Sequence, residues 1–154
     1  MKKLNPFITS GYVSKRYFCN RKKELAALLN NMQNGVNTTL VSPRRMGKTG
    51  LIHRAFEECK DFGCVYVDIM PTRSIEDFNR VLSAAIFNKF SEKTSIGKKF
   101  FAFLRGFRPL ISYDSITGQP QIEISYQMES QKPQTLKSIL QFLNAQDRRI
   151  IVAI

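Results

Sequence analysis

The apolar positions alternate between helical and strand periods along the chain. Leu25, Leu28, Leu29 and Met32 recur at three- and four-residue steps, predicting a helix capped by Asn20, running to about Gln33 and stopped at Gly35. Thr38, Thr39, Leu40 and Val41 form a short β-prone run. Leu51, Ile52, Ala55, Phe56 and Cys59 return to helical spacing, predicting a helix from Lys48 to about Lys60. Residues 64–68 read as a buried strand between Gly63 and Pro71. Ser74, Ile75, Glu76 and Asp77 make a capping box, and the helix it opens turns Phe78, Val81, Leu82, Ala85 and Ile86 inward. Residues 110–114 and 121–126 predict a hairpin joined around Thr117, Gly118, Gln119 and Pro120, with Ile122, Ile124 and Tyr126 on one buried face. A last helix over about 134–145 carries Leu136, Ile139, Leu140 and Leu143. Ile150, Ile151, Val152, Ala153 and Ile154 then form a continuous apolar strand. Residues 1–19 read as an irregular lead-in. The order of elements predicts an α/β domain.

The polar positions between the first strand and the second helix carry the chemistry. Ser42, Pro43, Arg44, Arg45, Met46, Gly47, Lys48 and Thr49, followed by Gly50, nearly match the phosphate-binding loop G-x-x-x-x-G-K-[ST]. Ser42 stands where the first glycine belongs. A strand, a tight loop and a helix N-terminus in that order place backbone N–H groups and the positive end of a helix dipole around one anion. In such a loop Lys48 would reach the β- and γ-phosphates, and the Thr49 hydroxyl would join the shell of a Mg²⁺ ion. ATP with Mg²⁺ is the expected ligand.

Charge sharpens this picture. Among 154 residues there are 24 Lys and Arg against 12 Asp and Glu. Residues 1–54 hold eleven of the cations and a single acid, Glu24. Positive charge therefore gathers around the loop and the segment before it, which suits a phosphate-rich ligand or a nucleic acid. Cys19, Cys59 and Cys64 are odd in number and lack metal-site spacing, as expected of thiols in a reducing compartment. No run of about 20 apolar residues is present, so a cytoplasmic location without membrane partners is expected.

Several segments resemble one branch of the archaeal-type, AAA-like P-loop ATPases, the STAND/AAA ATP-binding proteins. The opening Tyr17, Phe18, Cys19, Asn20, Arg21, Lys22, Lys23, Glu24, Leu25 is similar to that family's aromatic-x-x-R-x-x-E-L entry. The loop with paired arginines, the strand Val65, Tyr66, Val67, Asp68, the turn at 117–120 and the closing run 150–154 extend the resemblance over nearly the whole chain. It implies a three-layer P-loop sandwich with a parallel sheet ordered 5-1-4-3-2. This chain would supply the first three strands and a hairpin insertion. It also implies that residues 1–36 form a lead-in and helix near the adenine, and that residues 37–154 begin the ATPase domain. An acidic residue would follow Ile154, so the chain is expected to be an N-terminal part, truncated before the Walker B acid. Alone it would be inactive, and strand one would lack both its neighbours. A homo-oligomer or protein partner accords with the family.

Other readings compete with ATP hydrolysis by the intact parent. One is a nucleotide-dependent switch or assembly protein with little turnover. Another is a basic nucleic-acid-binding module, for which the run Lys98, Lys99, Phe100, Phe101, Phe103, Arg105, Phe107, Arg108 is the natural candidate, since aromatics stack on bases while cations meet phosphates. Phe100, Phe103, Leu104 and Phe107 also lie at helical spacing, and a core-facing stripe is the favoured reading. Arg44 and Arg45 are candidates for contact with phosphate or a neighbouring subunit, or are exposed loop charge. Asp68 stands either on the nucleotide side or at an ordinary solvated strand end. His53, the only histidine, is expected to pack or lie on a helix surface.

Overall fold

The computed structural model describes residues 15, 18, 20–90, 94–116, 118 and 120–154. Tyr17, Cys19 and most of the lead-in, with Thr117 and Gln119 of the hairpin turn, lie outside the described residues. The protein is a mixed α/β chain that divides after Asp61 into two compact units.

The first unit is built on two helices that pack together, α1 (Lys22–Asn34) and α2 (Lys48–Glu58). Leu28 and Met32 are the buried face of α1, and Leu51 and Ala55 that of α2. The Cys59 thiol lies 3.8 Å from the Met32 sulfur. Gly35 ends α1 as expected. Its φ of 69° lets its own N–H reach Met32 O and the Val36 N–H reach Asn31 O, both orphan carbonyls of the last turn. The start of α1 differs from expectation. Arg21 is the cap residue and makes no side-chain cap bond, since its guanidinium has no acceptor, while Asn20 stands one residue earlier in a left-handed conformation at φ 61°.

The expected strand over 38–41 is not formed. Val41 is 90 % exposed, and the Thr38 hydroxyl takes local bonds, accepting from Asn31 Nδ2 at 3.1 Å and donating to Val36 O at 3.2 Å. A central parallel strand depends on ladder bonds from neighbours on both sides. Among the described residues no strand is hydrogen-bonded to this segment.

The second unit holds β1 (Gly63–Tyr66), α3 (Ile75–Lys89), α4 (Ser95–Arg105), β2 (Pro109–Tyr113), β3 (Pro120–Ile124), α5 (Gln131–Asn144) and β4 (Ile150–Ala153). β1 and β4 pair in parallel, Gly63 opposite Ile150 through Tyr66 opposite Ala153, and the Val67 N–H continues the ladder to Ala153 O at 2.8 Å. Gly63 is required by close approach. A Cβ there would stand 2.7 Å from Phe90 Cζ and 3.3 Å from Ile150 Cγ1. β2 and β3 form the expected antiparallel hairpin. Among the described residues two two-stranded sheets are formed, in place of the larger sheet the resemblance implies.

The core of this unit gathers Val65 and Val67 from β1, Leu82 and Ile86 from α3, Phe100 and Leu104 from α4, Ile122 and Ile124 from β3, and Ile139 and Leu143 from α5. Phe100 has no exposed surface, and its ring lies 5.2 Å from that of Phe142, which also meets Phe103 at 5.1 Å. The aromatic stripe of residues 100–107 is therefore core, as its spacing indicates. The Arg105 guanidinium lies 4.8 Å over the Phe101 ring, so the cation among these aromatics stacks within the chain.

Two buried faces are wider or shifted from those predicted, although Phe78, Val81 and Ala85 still pack against the core. The buried side of α3 includes Asn79 and Ser83 beside Leu82 and Ile86, while Phe78, Val81 and Ala85 are half-buried. Asn79 is accepted inside because Nδ2 donates to Tyr126 Oη and to Lys132 O, both at 2.9 Å. On α5, Leu140 is exposed, and Thr135 takes a buried place with its hydroxyl donating to Gln131 O at 2.9 Å.

Candidate functional site

Residues 42–50 form an ordered loop and helix start within the first unit. The α2 ladder opens with the Leu51 N–H on Gly47 O at 3.0 Å, so Lys48, Thr49 and Gly50 make up the first turn, where N–H groups have no helical partner. Gly47 is left-handed at φ 73°, a conformation that glycine adopts without a Cβ penalty. Arg45 is also left-handed, at φ 63°. For a residue with a side chain that conformation costs about 1 kcal/mol, and such strain concentrates at binding loops. Ser42 does not have positive φ, so serine in place of the usual first glycine meets no backbone penalty.

Lys48 closes the loop on itself. Its Nζ donates to Ser42 O at 2.7 Å and to Pro43 O at 3.2 Å, and lies 3.4 Å from Ser42 Oγ. One half-buried ammonium thus ties the first two loop residues to the first residue of the helix. Arg44, Arg45 and Met46 are exposed at the crest, as is Thr49 in the first helical turn. An added Cβ at Gly50 would meet nothing within 4 Å.

The electrostatics follow the same direction. The first turn of α2 has neither a side-chain cap nor an acidic residue. The helix's own acids, Glu57 and Glu58, sit at its far end, where Arg54 pairs with both. That contact is the main reason the Glu58 carboxyl is held below its ordinary range. The end of α2 nearest the loop therefore carries the positive end of the dipole together with Lys48 and two arginines.

Arg21 also reaches the loop, which sequence reasoning did not anticipate. Its Nη1 donates to Met46 O at 2.9 Å, and its Nε faces Glu24 Oε1 at 3.4 Å. Spacing indicates the Arg21–Glu24 pair, three residues apart at a helix start. The contact with Met46, 25 residues away, depends on the fold.

The remaining candidates take structural roles. Asp68 Oδ1 accepts the Met70 N–H at 3.0 Å in a local turn, as a solvated strand end would. His53 is half-buried and meets the Phe56 ring edge-on at 6.4 Å. Cys59 and Cys64 are buried and form no disulfide, and burial pushes the Cys59 thiol upward. Among the described residues no cluster of three or more His, Cys, Asp or Glu is placed to hold a metal. For Mg²⁺ the loop offers the Thr49 hydroxyl. None of the described helices is long and apolar enough to cross a membrane.

A cleft of about 640 Å³ in the second unit is lined by Glu76, Arg80, Glu123, Tyr126, Glu129 and Lys132, among others, and includes no residue of 42–50. Lys132 Nζ pairs there with Glu129 at 2.7 Å and Glu76 at 3.0 Å, so much of its charge is neutralised internally.

No protein-family model, curated protein or solved structure matches this chain.

Proposed function

We propose that the chain binds ATP through residues 42–50, as part of an AAA-like P-loop ATPase domain. The observation that carries this reading is the Lys48 ammonium bound to the Ser42 and Pro43 carbonyls. That tie wraps the loop around the uncapped, acid-free start of α2. In this reading Lys48 leaves the Ser42 and Pro43 carbonyls for the β- and γ-phosphates of bound ATP, beside the first-turn N–H groups, Thr49 holds Mg²⁺, and Arg44 and Arg45 add charge at the rim. Bound Mg²⁺ would supply charge neutralisation across the β- and γ-oxygens. Parallel pairing of β1 and β4 supports the fold assignment, since these would be the family's second and third core strands, which are neighbours in the order 5-1-4-3-2. Hydrolysis belongs to the intact parent of this reading, and a nucleotide-dependent switch uses the same site.

The competing nucleic-acid reading loses its stacking platform. Phe100 is buried and Arg105 covers Phe101, which leaves exposed loop charge as its main support. Titration of the full chain with ATP and Mg²⁺ by calorimetry tests the choice. Lys48→Ala is expected to weaken binding by roughly a hundredfold or more, the loss of a buried charge-assisted contact to phosphate. Unchanged ATP affinity in that variant, with DNA or RNA binding that falls steeply with salt, would establish the nucleic-acid reading instead.

A further inference from the structure

We propose that Arg21 is a positioning residue of the phosphate loop, holding the Met46–Gly47 peptide in the left-handed turn that presents the start of α2 to phosphate. The inference rests on the phosphate-binding reading of residues 42–50. It differs from a contact between the opening segment and the base.

The geometry is local and specific. Met46 lies between two left-handed residues, Arg45 at φ 63° and Gly47 at φ 73°. Its carbonyl stands one residue ahead of the helical ladder, which begins at Gly47 O. Arg21 Nη1 meets that oxygen at 2.9 Å with a charged donor, roughly twice as strong as a neutral one. The same nitrogen lies 3.8 Å from where a Gly47 Cβ would stand, so the guanidinium covers the turn itself.

The arginine is held at both ends. Its backbone oxygen accepts the Leu25 N–H at 3.0 Å, fixing the residue to the first turn of α1, and Glu24 holds the other side of the guanidinium. Its side chain keeps only 28 % of its surface exposed. Because α1 packs on α2, the arginine spans from one helix start to the loop that opens the other. Loss of this contact frees a strained turn, and the first-turn N–H groups then lose part of their pre-organisation for phosphate.

Calorimetric titration of the full chain with ATP and, separately, with inorganic tripolyphosphate distinguishes a loop brace from a base contact. Arg21→Ala is expected to weaken both ligands by the same factor, roughly tenfold. Arg21→Lys should restore part of that loss, since an ammonium reaches the carbonyl without the planar fork. Glu24→Gln should cost both ligands about twofold. Far-UV circular dichroism reports whether each variant keeps its helices. Should Arg21→Ala lose helix, Arg21→Lys and Glu24→Gln decide, equal weakening of both ligands supporting the brace. Tripolyphosphate binding unchanged in the variants, with or without weaker ATP binding, overturns it. If tripolyphosphate binds in a Lys48-dependent way while Arg21→Ala matches the parent chain, only the brace falls. If the parent chain binds neither ligand, the phosphate-loop reading falls and the brace with it.

Discussion

At the start of α3 the Ser74 hydroxyl accepts the Asp77 N–H at 3.1 Å, and the Asp77 carboxylate accepts the Arg73 N–H at 3.1 Å. Glu76 and Asp77 place negative charge in the first turn. At the start of α2 there is no side-chain cap and no acid, and the nearest side chains are cationic. Both helices face the same physical demand, three or four N–H groups without partners and a positive dipole end. One satisfies it with its own residues, whereas the other has no side-chain partner for these groups, the feature on which the phosphate proposal rests. The surrounding units differ as well. Residues from Phe62 onward build the large apolar cluster. The unit ending at Asp61 has, among its described residues, two helices and a strained loop, and its sequence holds a concentration of positive charge. The start of α5 also lacks a side-chain cap and a first-turn acid, so what sets α2 apart is the cationic loop before it, closed by Lys48 on Ser42 and Pro43.

The widest separation between the two regions comes from Phe100→Ala. Its side chain is fully buried among Phe103, Phe142 and Leu104, so truncation should cost about 3–5 kcal/mol, read as a lower urea midpoint. Lys48→Ala should do the reverse, weakening ATP binding by roughly a hundredfold while lowering stability by about 1–2 kcal/mol through the lost ties to Ser42 and Pro43, less than Phe100→Ala. A midpoint loss as large as that of Phe100→Ala would mean that the lysine is chiefly a structural tie for the loop. Ser74→Ala removes a true cap and should cost about 1 kcal/mol, with no change in ATP affinity. An equal effect on binding would erase the distinction between the two helix starts.

Acid has the smallest expected effect. Glu58, held below its ordinary value first by its bond to Arg54, contributes stability that is complete above that value. The contribution disappears as pH falls through the lower folded-state value, because the folded state then takes up the proton too. Glu58→Gln should flatten the acid limb of a pH-dependent thermal melt in that window. The same acid limb in both proteins would show that the Arg54 pair has no part in it.

The candidate loop was legible as a stretch because its motif needs particular residue types at fixed spacing, and the helix does start at Lys48 as expected. The tie of Lys48 to the Ser42 and Pro43 carbonyls was not expected, since the motif points that ammonium at phosphate. The stripe Phe100, Phe103, Leu104 and Phe107 was readable because helical periodicity alone puts it on one face. Helix α1 stops at Gly35, and α3 starts at Ser74, where local capping rules place them.

Other features required partners distant in sequence. Residues 38–41 have strand propensity but no strand, because ladder bonds come from neighbours and propensity cannot supply them. Asn79 is buried and Phe78 only half-buried because Tyr126 and the Lys132 carbonyl, about fifty residues later, offer Asn79 its hydrogen bonds. Leu140 remains exposed although its spacing matches that of Leu136 and Leu143. Arg21 enters the sequence reading only as part of the entry motif implied to lie near the adenine, and the fold alone sets it 2.9 Å from Met46 O. Local backbone chemistry determined the loop and most helix boundaries. Tertiary structure decided which polar groups became partners, because a hydrogen bond across the fold depends on where two distant segments meet.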